Sequence, residues 1–240
     1  MKRMANIDIG YTAEEIDALL KSGKLERLGM GSRRVCYRLP GVGLCVKCYR
    51  SDEEIAEGKC PGVPPFKPLA PCVVREIRRF RFNERKNTCC QEYRYGLELR
   101  KRLPKDLMTV FPATMEQVLL PSYGWAVVEE LIVNADGTAP RRFAQAWLVA
   151  DAQRRLDLTT SFRALGHELA RHIVRFYDPP NVLVQWLPDG SFRLRIMDFE
   201  PASRLFLPMD RIPVLTRLKI RRRFARYLRN WNITIPGGVA

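Results

Sequence analysis

Two groups of residues in this chain have types and spacing that could do chemistry. The first is Leu28-Gly29-Met30-Gly31-Ser32, set between two β-prone stretches and followed by Lys47 in LCVKCY. Glycines in a strand-loop-strand let backbone amides approach phosphate oxygens, and a lysine on the next strand supplies a point charge. The same pattern also serves as a plain hairpin turn, and it is not a Walker loop, because no GK[ST] follows. The second group is Asn181 and Asp198, at the ends of NVLVQW and FRLRIM around Pro188-Asp189-Gly190. With the turn centred between Asp189 and Gly190, Asn181 and Asp198 stand symmetrically at the hairpin's open end. An amide oxygen and a carboxylate there suit a hard cation such as Mg²⁺, completed by phosphate and water. The bland alternative is that both residues simply end strands.

Other constellations carry less. Cys45 and Cys48 form a CxxC, but on a strand an odd separation points the two thiols to opposite faces. Cys60, Cys72, Cys89 and Cys90 offer no second pair at zinc spacing, so no zinc is expected. Seven cysteines at irregular intervals do not form a secreted disulfide framework. His167 and His172 are five apart, off the spacing that shares a helix face.

The elements that must position these residues read as follows. Thr12 and Glu15 form a capping box that opens a short helix over 12–22, with Ile16, Leu19 and Leu20 on one face. From Lys24 to Arg50 the chain reads as three antiparallel strands, broken at Gly29–Gly31 and Pro40–Gly43. Residues 58–72 hold five prolines and two glycines and read as an insertion loop. Basic helical stretches follow, REIRRFRFNERK and QEYRYGLELRKRL, and then two strands around Tyr123-Gly124. From Pro140 the chain is mainly helical. Leu158, Phe162, Leu165, Leu169, Ile173 and Phe176 form one long stripe, and Ile220, Phe224, Tyr227, Leu228 and Trp231 form another.

Composition sets the class of partner. The 240 residues are 46% hydrophobic and 28% charged, which is globular composition. The net charge of +15, with 31 of the 41 basic residues being arginine, implies an anionic partner. Residues 211–230 hold eight basic and no acidic side chains. That run would suit a nucleic acid or a peripheral contact with an anionic membrane, but no motif for base-specific recognition accompanies it. No apolar run is long enough for a membrane span and no signal peptide is read, so a cytoplasmic location is expected.

Taken in order, these motifs resemble the protein-kinase-like fold. Gly29 and Gly31 match the glycine-rich loop, and Lys47 matches the strand lysine that touches the phosphates. More closely, LGxGxxRxCY, the later VK and the NVL…DFEP ending resemble the bacterial family of the PhoP regulatory network protein YrbL. The resemblance implies an α+β fold of two lobes. A β-rich N-lobe would span 24–133 and a reduced helical C-lobe 134–240, with Mg-ATP bound between them. It implies that Glu92 pairs with Lys47 and that Glu129 and Leu131 lie on a hinge beside the nucleotide. Asn181 and Asp198 would hold metal, and Asp178 would stand in as catalytic base for an anionic acceptor of unknown identity. Two departures bear on activity. Phe176 occupies the position of the usual loop aspartate, so Asp178 serves only if the loop is shortened. Only 42 residues follow Asp198, with no room for a full peptide-docking lobe. A pseudokinase acting as a regulatory binding module therefore stands beside the phosphotransferase reading, with a basic surface binder as the third.

Overall fold

The computed structural model describes residues 9–56, 69–113, 115–199, 212–231 and 233. It is a mixed α+β protein with antiparallel sheets and divides into two compact units. The first takes the described residues through Gly96 together with Ala113–Leu131, and the second takes Leu97–Pro112 and the described residues from Ile132 onward.

In the first unit, helix α1 (Ala13–Lys21) starts at the expected capping box. Glu15 N–H donates to Thr12 Oγ1, and Thr12 N–H donates to Glu15 Oε2 at 2.7 Å. Strands β1 (Arg27–Met30), β2 (Arg34–Leu39) and β3 (Leu44–Tyr49) form the expected meander. A short helix α2 (Asp52–Ala56) follows, and most of the proline-rich stretch lies outside the described residues. Helix α3 (Pro71–Phe80) begins inside what reads as loop from sequence, because proline at the first helical position loses no hydrogen bond. Its end at Phe80 leaves 81–86 in turns, so the basic helix is shorter than its composition suggests.

Helix α4 (Thr88–Arg102) starts at Asn87, whose amide is fully buried and accepts from the Cys89 N–H at 2.8 Å. A single turn, α5 (Lys105–Met108), leads to β4 (Met115–Leu120) and β5 (Gly124–Glu130). The five strands order as β1-β2-β3-β5-β4. Alternation along β3 and β5 divides their side chains. Val46, Cys48, Ala126 and Val128 pack with Leu39, Leu120 and the α1 residues Ile16 and Leu20. Lys47 and Glu129 therefore point to the opposite face. Cys45 and Cys48 fall on opposite faces as read from spacing, and the six described cysteines are free thiols.

In the second unit, β6 (Arg141–Arg142) leads into α6 (Phe143–Val149) and α7 (Ala152–Arg171). A 3₁₀ turn at Pro179–Asn181 precedes the hairpin β7 (Val182–Trp186) and β8 (Phe192–Ile196), and α8 (Pro213–Asn230) packs on α7. Phe162 stacks on Phe143 at 4.1 Å and meets Phe224 at 4.8 Å. Gly166 lets the two helices close, since a Cβ there would fall 2.8 Å from the Phe224 ring. The second stretch of the first unit ends at Leu131. Residues 97–112, however, belong with the hairpin unit. Ile196 N–H donates to Val110 O at 2.6 Å, Arg195 Nη2 donates to Phe111 O, and Phe111 packs edge-on against Phe199.

The long stripe drawn through Ile173 and Phe176 is cut short. Helix α7 stops at Arg171, and Ile173 takes φ +52°. Val174 N–H donates to Leu169 O and Ile173 N–H to Ala170 O, a Schellman ending with isoleucine where glycine is usual. Arg102 secures it by donating to the carbonyls of His172 and Ile173. No described helix is long and apolar enough to cross a membrane.

Candidate functional site

Lys47 and its surroundings are built by β2, β3, β5 and the part of α4 up to Gly96, all in the first unit. In the β3–β5 ladder Lys47 stands opposite Val127 and Cys45 opposite Glu129, so Lys47 and Glu129 are diagonal neighbours on one face. Lys47 Nζ lies 2.6 Å from Glu129 Oε1 and 3.5 Å from Glu92 Oε1. Arg34 Nη1 takes the other Glu92 oxygen at 2.5 Å. Glu92 reaches this point because α4 is pinned to β3 one turn earlier. Cys89 Sγ–H donates to Lys47 O, and Thr88 N–H donates to Tyr49 Oη. The pairing of Lys47 with Glu92 is thus present. The participation of Arg34 and the side-chain role of Glu129 are not visible from sequence. The one available signal for Arg34 is its parity with Cys36, the residue across from Lys47.

The glycine hairpin is built next to this network. Leu28 is a bulge in the β1–β2 ladder, and Gly31 N–H donates to Arg34 O at 2.8 Å. The fully buried Arg50 donates to Gly31 O through Nε and Nη2, at 3.0 and 2.7 Å. Gly29 and Gly31 both have ordinary φ, and both are exposed. A Cβ on Gly29 would meet nothing within 4 Å, and one on Gly31 only Arg34 O at 3.7 Å. Neither backbone strain nor packing requires glycine there. Gly124 is the contrast: φ is +73° and a Cβ would sit 2.4 Å from Arg81 O. Leu131 leaves β5 with its N–H donated to Gly43 O at 2.9 Å.

The second group lies in the second unit. Leu187 N–H donates to Ser191 O, which leaves a three-residue loop, Pro188–Gly190, with Gly190 at φ +78°. The hairpin is therefore centred on Asp189, half a residue earlier than the symmetric reading. Val182 pairs with Ile196, and Met197, not Asp198, donates its N–H to Asn181 O at 3.1 Å. Asp198 sits one step beyond at φ +52°, a conformation aspartate tolerates better than most residues. Asn181 Nδ2 donates to Asp178 Oδ2 at 3.2 Å. Burial, with Asp198 adding to it, pushes the Asp178 carboxyl above its usual range against the pull of Arg223 and Arg142. Phe176 is a core residue facing Phe224 at 6.3 Å. Asp178 and Asn181 are brought together by the 3₁₀ turn, and Asp178 and Asp198 share one electrostatic neighbourhood.

Among the described residues, no three His, Cys, Asp or Glu side chains are placed to hold a metal by themselves. A cation at Asn181 and Asp198 would have to draw further oxygens from its ligand. Comparison with known proteins finds no family model that matches this chain and no match among curated proteins.

Proposed function

We propose that this chain is an atypical kinase-like protein, related to the YrbL family, that binds Mg-ATP. The observation that carries the reading is the buried pair of Lys47 with Glu92. A strand lysine is met by a helix carboxylate 45 residues on, beside a glycine hairpin that has room where side chains would be. That room supports phosphate oxygens approaching the hairpin at Gly29 and Gly31, although the Gly31 N–H is given to Arg34 O, with Lys47 contributing charge and Glu92 orienting it. Asn181 and Asp198 are assigned to Mg²⁺, and Leu131 to the nucleotide's edge. Bound Mg-ATP would supply a transferable phosphoryl group with its charge already partly neutralised. Asp178 would accept the acceptor's hydroxyl proton, and its raised pKa means this role weakens toward acid pH. Lys219, 3.9 Å over the Tyr177 ring, together with Arg142 and Arg223, supports an anionic acceptor.

A pseudokinase is favoured by one specific observation: the usual base position is held by the buried Phe176. Thermal unfolding separates the outcomes. Millimolar Mg-ATP should raise the melting temperature, by about 2.7 kcal/mol of stabilisation if the ligand stands 100-fold above its Kd. Gly29→Ala should abolish most of that rise while leaving the ligand-free melt within about 0.5 kcal/mol of wild type. An unchanged wild-type melt at millimolar Mg-ATP overturns the reading. Binding without turnover, unaffected by Asp178→Ala, selects the pseudokinase.

A further inference from the structure

Lys47 is already committed. Its closer partner is Glu129 at 2.6 Å, with Glu92 at 3.5 Å and held on its other oxygen by Arg34. The four side chains expose 7% (Lys47), 4% (Glu129), 0% (Glu92) and 13% (Arg34) of their surface. In these contacts two cations meet two carboxylates, in surroundings where water screens little. An arriving phosphate therefore meets a Lys47 already engaged by two carboxylates, and it meets that of Glu129 as a like charge.

Removing Glu129 from Lys47 would leave Arg34 on Glu92 and take one negative charge from beside the ammonium. Carboxylate and phosphate oxygens satisfy the same ammonium donors, so one can replace the other atom for atom. We infer that Glu129 is an internal stand-in for phosphate: anion binding at Lys47 is an exchange in which a phosphate oxygen displaces the Glu129 carboxylate. The inference rests on reading Lys47 as the phosphate contact. It makes Glu129 a positioning residue that holds Lys47 extended in the ligand-free protein and lowers its affinity for phosphate. This differs from the hinge contact that the family resemblance implies for Glu129.

The test is isothermal titration of inorganic tripolyphosphate, and separately of Mg-ATP, into wild type, Glu129→Gln and Glu129→Met. Glu129→Gln keeps the shape and a hydrogen bond, and Glu129→Met fills the volume without charge should the amide variant fail to fold. Both folded variants should bind tripolyphosphate at least about tenfold more tightly than wild type, because a like charge has been removed from the phosphate's position. A merely structural Glu129 would leave affinity unchanged or weaker, and that result in a folded variant overturns the exchange. Tighter tripolyphosphate binding with no Mg-ATP binding in any variant keeps the exchange and removes the kinase-like reading. Equal Mg-ATP binding by wild type and variants does the reverse. No binding of either ligand by any folded protein overturns both.

Discussion

The two units handle carboxylates in opposite ways. Glu92 and Glu129 are shut inside the first unit, each on a cation. Asp178, in the second unit, keeps an exposed edge, accepts a hydrogen bond from Asn181, and lies in the field of Arg142 and Arg223. A buried cluster of ion pairs holds geometry firmly, and a ligand would enter it by exchanging one partner for another. A half-open carboxylate gives up rigidity and stays available to solvent and to whatever approaches. Firm placement and chemical readiness are thus divided between the units.

Glu92→Ala should break this contrast most violently. It takes from Arg34 and Lys47 the carboxylate they share, with Lys47 keeping Glu129 at 2.6 Å, and should cost about 3–5 kcal/mol, read by urea unfolding. A loss under 1 kcal/mol would mean that the cluster admits water and is not the closed network described.

Asp17 tests whether the first unit treats a carboxylate the same way far from Lys47. It is buried and accepts from Ser122 N–H at 2.7 Å and Ser122 Oγ–H at 3.0 Å, with Lys21 Nζ 2.9 Å away. Burial alone would raise its pKa, but these partners outweigh burial and hold it below the usual range. Asp17→Ala should cost roughly 2–3 kcal/mol at neutral pH. Because the folded pKa is depressed, that stability is present above the ordinary carboxylate pKa and disappears as pH falls through the folded value. The melts of wild type and variant should therefore converge in acid, and parallel curves at every pH would contradict the assignment.

Some of this was legible in the sequence and some was not, for identifiable reasons. The capping box at Thr12, the meander of β1 to β3 and the hairpin before Asp198 follow from local rules, as does the division of Cys45 from Cys48. Lys47 and Glu92 were legible as a pair only through the order of the motifs. The Glu129 contact escaped because it is a diagonal across strands that are not consecutive in the chain. The half-residue shift at Asp189 came from loop length, which a symmetric count cannot sense. Helix α7 was read too long because Ile173 breaks the preference for glycine at that turn.

That turn gives a smaller expected effect, of opposite sign. Ile173 is β-branched at φ +52°, and Ile173→Asn should stabilise the protein by about 1 kcal/mol in a thermal melt. A loss would show that the isoleucine side chain earns its place through packing. Smallest is Asp178→Ala, whose half-open carboxylate should change stability by no more than about 0.5 kcal/mol. A cost near that of Glu92→Ala would erase the distinction between the units.

The empty space above Gly29 and Gly31 has a consequence for the lineage of this chain. Gly124 and Gly166 are held by the fold itself, since any side chain would strike the Arg81 carbonyl or the Phe224 ring. The hairpin glycines have no such guardian. If the hairpin binds phosphate as proposed, then in descendants that lost this binding Gly29 and Gly31 would drift to other residues while Gly124 and Gly166 stayed fixed. The two pairs therefore run as separate clocks, one recording that the protein still folds and the other that its hairpin is still in use.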